Sequence, residues 1–460
     1  MLVSFSVENF LSFNKKQTFC IEGGRVTKKK EHLIIDGATK KELLCFAAIF
    51  GKNGAGKSNF IRAVATLRDF VVNAKLPQRA AKWWCLLDEK NESAPSSFEI
   101  VFIAGGTLYE YLLSIILSTG IIEKERLVRI TGNRRTELFS REENGSYKFH
   151  HSIKGQKNDI EVLSQTFAMS GNPFLFSINH NTAGFYNANP QAKVLNTVFR
   201  WFSQTLEAIF PEQPLQETSL LEYDIKKDEF AKLLKEFDTG IEEIDLEPTT
   251  KEKVFENLDI KTQQKLNLHM LFARPLAKAV NQLSSQQGTQ GEHSNVATVV
   301  RNRHNIFLIS MKADGAFEFF TLKFIHNIAG KKVEFYMISE SDGTHRLFQL
   351  LEILMTQKEK VFVMDEISRS LHPKLTIEFI KKYFKFAKNR RVQLFTTTHE
   401  TRILKHDLVR RDEIWIADSN EDGSTKLFSL EEKQVRIDKV LDENYMSGEW
   451  GGTPEFEGEE

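Results

Sequence analysis

Gly51 to Ser58 (GKNGAGKS) sets three glycines, a lysine and a hydroxyl in the order that a polyphosphate demands. Small residues let backbone N–H groups turn inward around phosphate oxygens. A helix opening at the lysine adds the positive end of its dipole. Lys57 is spaced to reach the β- and γ-phosphates, and the Ser58 hydroxyl to ligate Mg²⁺. Gly51, Asn53, Gly54, Gly56 and Asn59 complete the candidate ATP contacts. Far along the chain, Val361-Phe-Val-Met runs into Asp365-Glu366. Asp365 is placed to hold Mg²⁺, and Glu366 to orient and deprotonate an attacking water. Val392-Gln-Leu-Phe-Thr-Thr-Thr then ends in His399, which can hydrogen-bond a γ-phosphate and that water. Either segment alone reads as an ordinary strand ending in surface polar groups. Pairing with the glycine-rich loop is what gives each a role.

Such residues need elements that deliver them to one edge. The apolar run Leu43 to Phe50 predicts a buried strand into the loop. Ser58 to Val72 predicts a helix with Phe60, Ile61, Val64, Leu67 and Val71 on one side. Val361 to Met364 and Val392 to Thr396 predict two more buried strands, with Thr376 to Ala387 a helix between them. Ligands of α/β sheets sit at the carboxyl ends of strands, where Asp365, Glu366 and His399 fall.

Elsewhere, Leu2 to Phe13 and Phe19 to Glu22 read as strands. Phe98 to Ile103 and Leu108 to Leu117 form a hairpin around Gly105-Gly106. Gln191 to Leu283 reads as helix, broken at Pro211, Pro214 and Pro248 and kinked at Pro275. Ser284 to Ser294 is a polar linker. Strands resume at Ile306 to Met311 and Phe317 to Phe324, a helix spans Thr344 to Leu354, and the acidic tail Glu455 to Glu460 is expected to fray.

The 460 residues carry 62 basic and 62 acidic side chains, and 41% are hydrophobic. That excludes a wholly disordered chain. It also removes any global field that would hold the chain on DNA. Local basic stretches remain at Lys28 to Lys30, Arg301 to His304, Lys388 to Arg391 and Arg410-Arg411. The first reads as a solvated turn; the others read as solvated faces or as steps of a DNA path. Tyr111 to Ile122, the longest apolar run, is too short for a bilayer, and the first residues lack the marks of a signal peptide. Cys20, Cys45 and Cys85 suit core thiols in a reducing cytoplasm.

A phosphate loop, a distant apolar strand ending in Asp-Glu, and a strand ending in His together resemble ABC-type ATPases. The resemblance is closest to prokaryotic AAA-type ATPases of phage defence, those of overcoming-lysogenization-defect nucleases and of the Septu, PARIS and Rlo systems. Its matches run along most of the chain. They are Phe5 to Phe13 (FSVENFLSF), GKNGAGKSNF, ESDGTHRL at Glu340 to Leu347, DEISRSLHP at Asp365 to Pro373, TTTHE at Thr396 to Glu400, RRDEIW at Arg410 to Trp415, and YMSGEWGGTP at Tyr445 to Pro454.

The resemblance implies an α/β fold: an ABC-type P-loop ATPase head with an inserted helical subdomain. The head would comprise residues 1–190 and 301–460, and the insert residues 191–300. It implies ATP and Mg²⁺ as cofactors, with Glu366, His399 and Lys57 catalytic and Ser58 and Asp365 at the metal. Ser341 and the Gly343 amide would bind the γ-phosphate held by a second copy, making an ATP-sandwich homodimer or a larger ring. Asp342 stands where the family has glycine, so it must point away or pair with His345 or Arg346. Ser341 also reads as a plain helix cap. Ser368 to His372 falls at the family's dimer-contacting loop.

The function implied is a cytoplasmic sensor or scaffold subunit. It would answer a phage-encoded trigger and control a separate effector, a Toprim-like or HNH nuclease. The 61 residues after His399 (460 − 399) are fewer than the roughly 100 that an α/β nuclease core needs. The effector is therefore expected in another chain, docked on the helical insert. The alternative is a repair or recombination ATPase acting directly on DNA.

Overall fold

A computed structural model gives the structure. It describes residues 1–142, 144–154, 159–168, 171–180, 184–211, 223–258, 260, 262–264, 266–267, 270–271, 297–301, 305–312, 316–405, 408–433 and 441–454. The Pro214 and Pro275 breaks, the linker Ser284 to Ser294, residues 302–304 and the tail from Glu455 lie outside them. The chain divides into two compact units, Met1–Phe210 with Lys358–Ser368 and Ile380–Glu460, and Pro211–Gln357 with Arg369–Phe379.

The first unit holds two large sheets and a two-stranded one. One has six strands, in the order Leu206–Ile209, Lys360–Met364, Val392–Thr397, Phe46–Phe50, Ile414–Ser419, Thr425–Ser429. The first five run parallel and the last is antiparallel. Phe46–Phe50 is buried at every residue, as a parallel strand covered on both faces must be. The apolar run preceding it divides at Cys45, leaving Glu42–Leu44 to pair with Leu33–Ile35. The other large sheet is antiparallel and has seven strands; the five from Ser96 to Phe149 form a meander, in which Ser96–Ala104 and Thr107–Ile116 make the expected hairpin.

The helix Lys57–Asn73 buries Phe60, Ile61, Val64, Leu67 and Val71. These join a core drawn from both sheets. Phe60 meets Phe5 edge-on at 5.6 Å, and Phe19 lies 5.6 Å from Phe395 and 4.7 Å from Trp415. Truncating one such Phe to Ala typically costs about 3–5 kcal/mol. In the meander, the buried Glu125 carboxylate accepts from the Tyr111 and Tyr147 hydroxyls and from the Phe174 and Leu175 N–H groups.

The second unit holds an antiparallel sheet of Ile241–Thr249, Phe317–Ile328, Ile306–Met311 and Ala297–Arg301, with Lys331–Tyr336 also paired to the long Phe317–Ile328 strand. Phe348, on the helix Asp342–Met355, packs against Phe230 at 4.5 Å and Phe324 at 5.8 Å.

Two expectations are corrected by these strands. Leu206–Ile209 lies in a stretch read as continuous helix. A π-helical turn at Trp201–Thr205 ends that helix, and parallel pairing with Val361–Met364 outweighs its periodicity. Ile241–Thr249 is likewise a strand. Pro248 sits inside it, tolerated because the strand lies at the sheet edge. The helix that follows Ser341 belongs to the second unit, together with this sheet. Cys45 and Cys85 are buried, but Cys20 is exposed, the last residue of a short edge strand. Among the described residues no helix is long and apolar enough to cross a membrane.

Candidate active site

Phe46–Phe50 ends at Gly51, where a Cβ would collide with Ala417 O. The loop turns through Gly54 (φ 81°) and Gly56 (φ 96°) before the helix begins at Lys57. A Cβ at Gly56 would also collide with Thr425 Oγ1. That hydroxyl donates to Ala55 O and pairs with the Ser12 hydroxyl at 2.7 Å, and Asn59 Nδ2 donates to Ser12 Oγ at 2.9 Å. Ser12, Thr425 and Asn59 thus brace the loop from the protein side. Asn59, expected on the nucleotide, is engaged in this brace. Lys57 Nζ donates to Gly51 O at 2.8 Å and to Lys52 O at 3.0 Å. Burial lowers its pKa to about 8, with Asp365 and Glu366 pulling the other way. Asn53 and Gly54 are exposed at the loop tip.

Strand Lys360–Met364 delivers Asp365 and Glu366 to the same sheet edge. Ser58 Oγ donates to Asp365 Oδ1 at 3.1 Å. Thr397, at the end of the neighbouring strand, serves both acids. Its hydroxyl donates to Asp365 Oδ1 and accepts the Glu366 N–H at 2.8 Å. Glu366 holds φ 48°, a left-handed conformation uncommon outside glycine. Its backbone is pinned between this hydroxyl and the Thr397 carbonyl, which accepts the Ile367 N–H. His399 lies two residues beyond Thr397. Partial burial and the Lys57 charge lower its pKa, while Glu366 and Asp365 raise it.

Lys57, Ser58, Asp365, Glu366 and His399 are therefore brought to one edge within the first unit. Ser58 and Asp365 present a hydroxyl and a carboxylate oxygen side by side. Such hard donors suit Mg²⁺, which takes most of its remaining ligands from phosphates and water. Thr397, Ser12 and Thr425 had no role in the sequence reading. The available signals were the hydroxyl-rich TTTHE and the serine of FSVENFLSF; Thr425 stands in no motif.

Ser341 and Gly343 lie in the second unit. Ser341 Oγ accepts the Thr344 N–H at 3.1 Å, capping the helix. A Cβ at Gly343 would sit 3.0 Å from Ser370 O, so this turn and Ser370 meet within the second unit. Asp342 is exposed and makes no ion pair among the described residues. The partners foreseen for it are engaged elsewhere: His345 Nε2 donates to Met337 O, and Arg346 Nη1 to Gln349 Oε1.

Two of the basic stretches also have partners. Arg410 is buried and donates twice to Asp412 and once to Lys28 O, so it does not offer a DNA surface. Arg391 pairs with Glu359 and Asp36.

The family model described as "AAA domain, putative AbiEii toxin, Type IV TA system" matches residues 46–155 and 174–405. Solved structures with similarity include an Smc head bound to the C-winged helix domain of ScpA (14% identity, 94% of this chain and 99% of that one, TM-score 0.41). The SMC head domain from Thermotoga maritima shares 12% identity over 95% and 99%, with a TM-score of 0.34. An Smc head with an extended coiled coil, bound to the C-terminal domain of ScpA derived from Pyrococcus furiosus, shares 14% over 94% and 97%, with a TM-score of 0.37. No curated protein matches the chain.

Proposed function

The chain belongs to the AAA domain, putative AbiEii toxin family and has the α/β fold of an ABC-type P-loop ATPase head, and from this we propose that it hydrolyses ATP as the sensor or scaffold subunit of a cytoplasmic anti-phage system. The observation that carries the catalytic part is the Ser58–Asp365 hydrogen bond. It brings phosphate loop and acid pair to one spot, with Glu366 and His399 beside them. Lys57 holds the β- and γ-phosphates. Ser58 and Asp365 hold Mg²⁺, which when bound neutralises charge on the phosphates. Glu366 orients the water and takes its proton, and His399, its pKa held below the usual value, bonds the γ-phosphate.

The defence role is supported by the motif matches from Phe5 to Pro454 and by the family's description as a putative AbiEii toxin of a Type IV TA system. In this reading Ser341 and Gly343 close the γ-phosphate of a second copy, and a separate nuclease supplies the output after a phage-encoded trigger. Replacing Glu366 by Gln removes the base and leaves the phosphate cradle. ATP binding should persist while turnover falls about 10²-fold or more. Equal turnover in the two proteins would remove Glu366 from this role. Degradation of DNA or RNA by the isolated chain with Mg²⁺ and ATP would refute a separate effector.

A further inference from the structure

The stretch Tyr445 to Pro454 takes no part in the chemistry above, yet it packs on the first residue of the phosphate loop. The Tyr445 hydroxyl donates to Gly452 O at 3.0 Å. Its ring meets Phe50, the last residue of the strand feeding the loop, edge-on with centroids 5.7 Å apart. Burial pushes the phenol up to about 12, so it remains a donor at working pH. Gly451 and Gly452 hold φ of 75° and 74°, which brings their backbone in close. A Cβ at Gly452 would lie 2.8 Å from Ile416 Cγ2 and 3.4 Å from Gly51 Cα. Trp450, just before the two glycines, is buried.

Gly51 matters because its carbonyl is one of the two that receive the Lys57 ammonium. A peptide that rotates swings its carbonyl with it. Packing of Gly452 against Gly51 Cα limits rotation at this glycine, and so restrains the carbonyl on which the lysine charge rests. The carbonyl faces Lys57, while the backbone around it meets Ala417 and Gly452, and the Tyr445 ring lies on the preceding Phe50.

We propose that Tyr445 is a positioning residue of the nucleotide site, holding the Gly451-Gly452 turn against Gly51 and through Gly51 setting the place of Lys57. This rests on reading Gly51 to Ser58 as the phosphate loop. Tyr445 touches no reacting atom. Its effect belongs to polyphosphate affinity, with the water-activating residues Glu366 and His399 untouched.

The test compares the full chain with its Tyr445→Phe and Gly452→Ala variants. Phe keeps the ring on Phe50 and removes only the hydroxyl. Ala at Gly452 strains a left-handed position and presses on Ile416. Expected for Tyr445→Phe are a Kd for ATP raised about fivefold, the equivalent of one net hydrogen bond, and a KM raised with kcat little changed. Deuterium uptake across Phe50 to Gly56 in the nucleotide-free protein should be faster. The melting temperature should stay close to that of the parent. Gly452→Ala should shift uptake in the same peptide. Unchanged uptake and unchanged ATP affinity in Tyr445→Phe overturn the proposal. So does a lower melting temperature with ATP affinity intact, since that marks a purely structural residue. The exchange measurement needs no nucleotide, so the brace stands or falls on it separately from the claim that ATP binds here.

Discussion

Ser58 Oγ lies 3.1 Å from Asp365 Oδ1, one hydrogen bond joining residues 307 positions apart. Neither side chain reaches the other without the parallel alignment of Phe46–Phe50 with Val392–Thr397, and of that strand with Lys360–Met364. The site is a property of strand order, and its weak points are the groups that tie neighbouring strand ends together.

Thr397 is the first of these. Thr397→Val keeps the shape but strips the Glu366 N–H of its acceptor and Asp365 of a donor. An unsatisfied buried group costs about 1–3 kcal/mol. Turnover should fall about tenfold or more as Glu366 loses its fixed place, and Thr397→Ser should restore most of it. Steady-state hydrolysis and thermal melting of the three proteins check this; full activity in the valine variant would show that Glu366 needs no such tether.

ATP affinity should depend on pH through Lys57. Its pKa is lowered to about 8 by burial, and phosphate binds the protonated form. Affinity should be highest below pH 8 and fall above it, by at most about tenfold per pH unit for one proton. For stability the sign is opposite. The folded chain gives up this proton near pH 8, whereas the unfolded lysine holds it to about 10.5. The nucleotide-free protein should therefore gain stability from Lys57 as pH rises between those values. Calorimetric titrations with ATP on either side of pH 8 test the first claim; an affinity independent of pH there would exclude a titrating Lys57.

Assembly is expected to depend on ATP. The Glu366→Gln chain with ATP should sediment as a dimer or larger species, and Ser341→Arg in that background should stay monomeric. Losing the helix cap alone costs about 1 kcal/mol, too little to unfold the chain. Only monomers in ATP-loaded Glu366→Gln would end the sandwich reading.

The buried Glu125 carries a stability prediction. Leu at this position would strand two phenol hydroxyls and two backbone N–H groups at once. Destabilisation of about 3 kcal/mol or more should follow. Glu125→Gln should be milder, because an amide oxygen still accepts. Urea unfolding measures both, and a loss below about 1 kcal/mol for Leu would mean that water reaches those groups.

The sequence announces the phosphate loop and the Asp-Glu strand end because each joins a fixed motif to a hydrophobic run of the right length. Thr397 was hidden among three consecutive threonines, where only strand pairing decides which hydroxyl meets Asp365. Ser12 and Thr425 stand 413 positions apart, and no local pattern links them. Leu206–Ile209 continues the apolar spacing of the helix before it, so its change to strand becomes visible only once Lys360–Met364 lies alongside. The left-handed backbone at Glu366 has no signature either, since glutamate does not favour it. It is imposed by the groups on both sides.

The position of Phe46–Phe50 in its sheet also governs how the protein is made. Both neighbours of that strand, Val392–Thr397 and Ile414–Ser419, leave the ribosome roughly 340 or more residues later. At about 5–20 residues per second the gap is on the order of 20 to 70 s. Throughout that time the strand waits unpaired and wholly apolar, a natural client for a chaperone. The phosphate loop is thus seated only once Val392–Thr397 and Ile414–Ser419 have emerged, and a chain cut before them leaves its central strand unpaired.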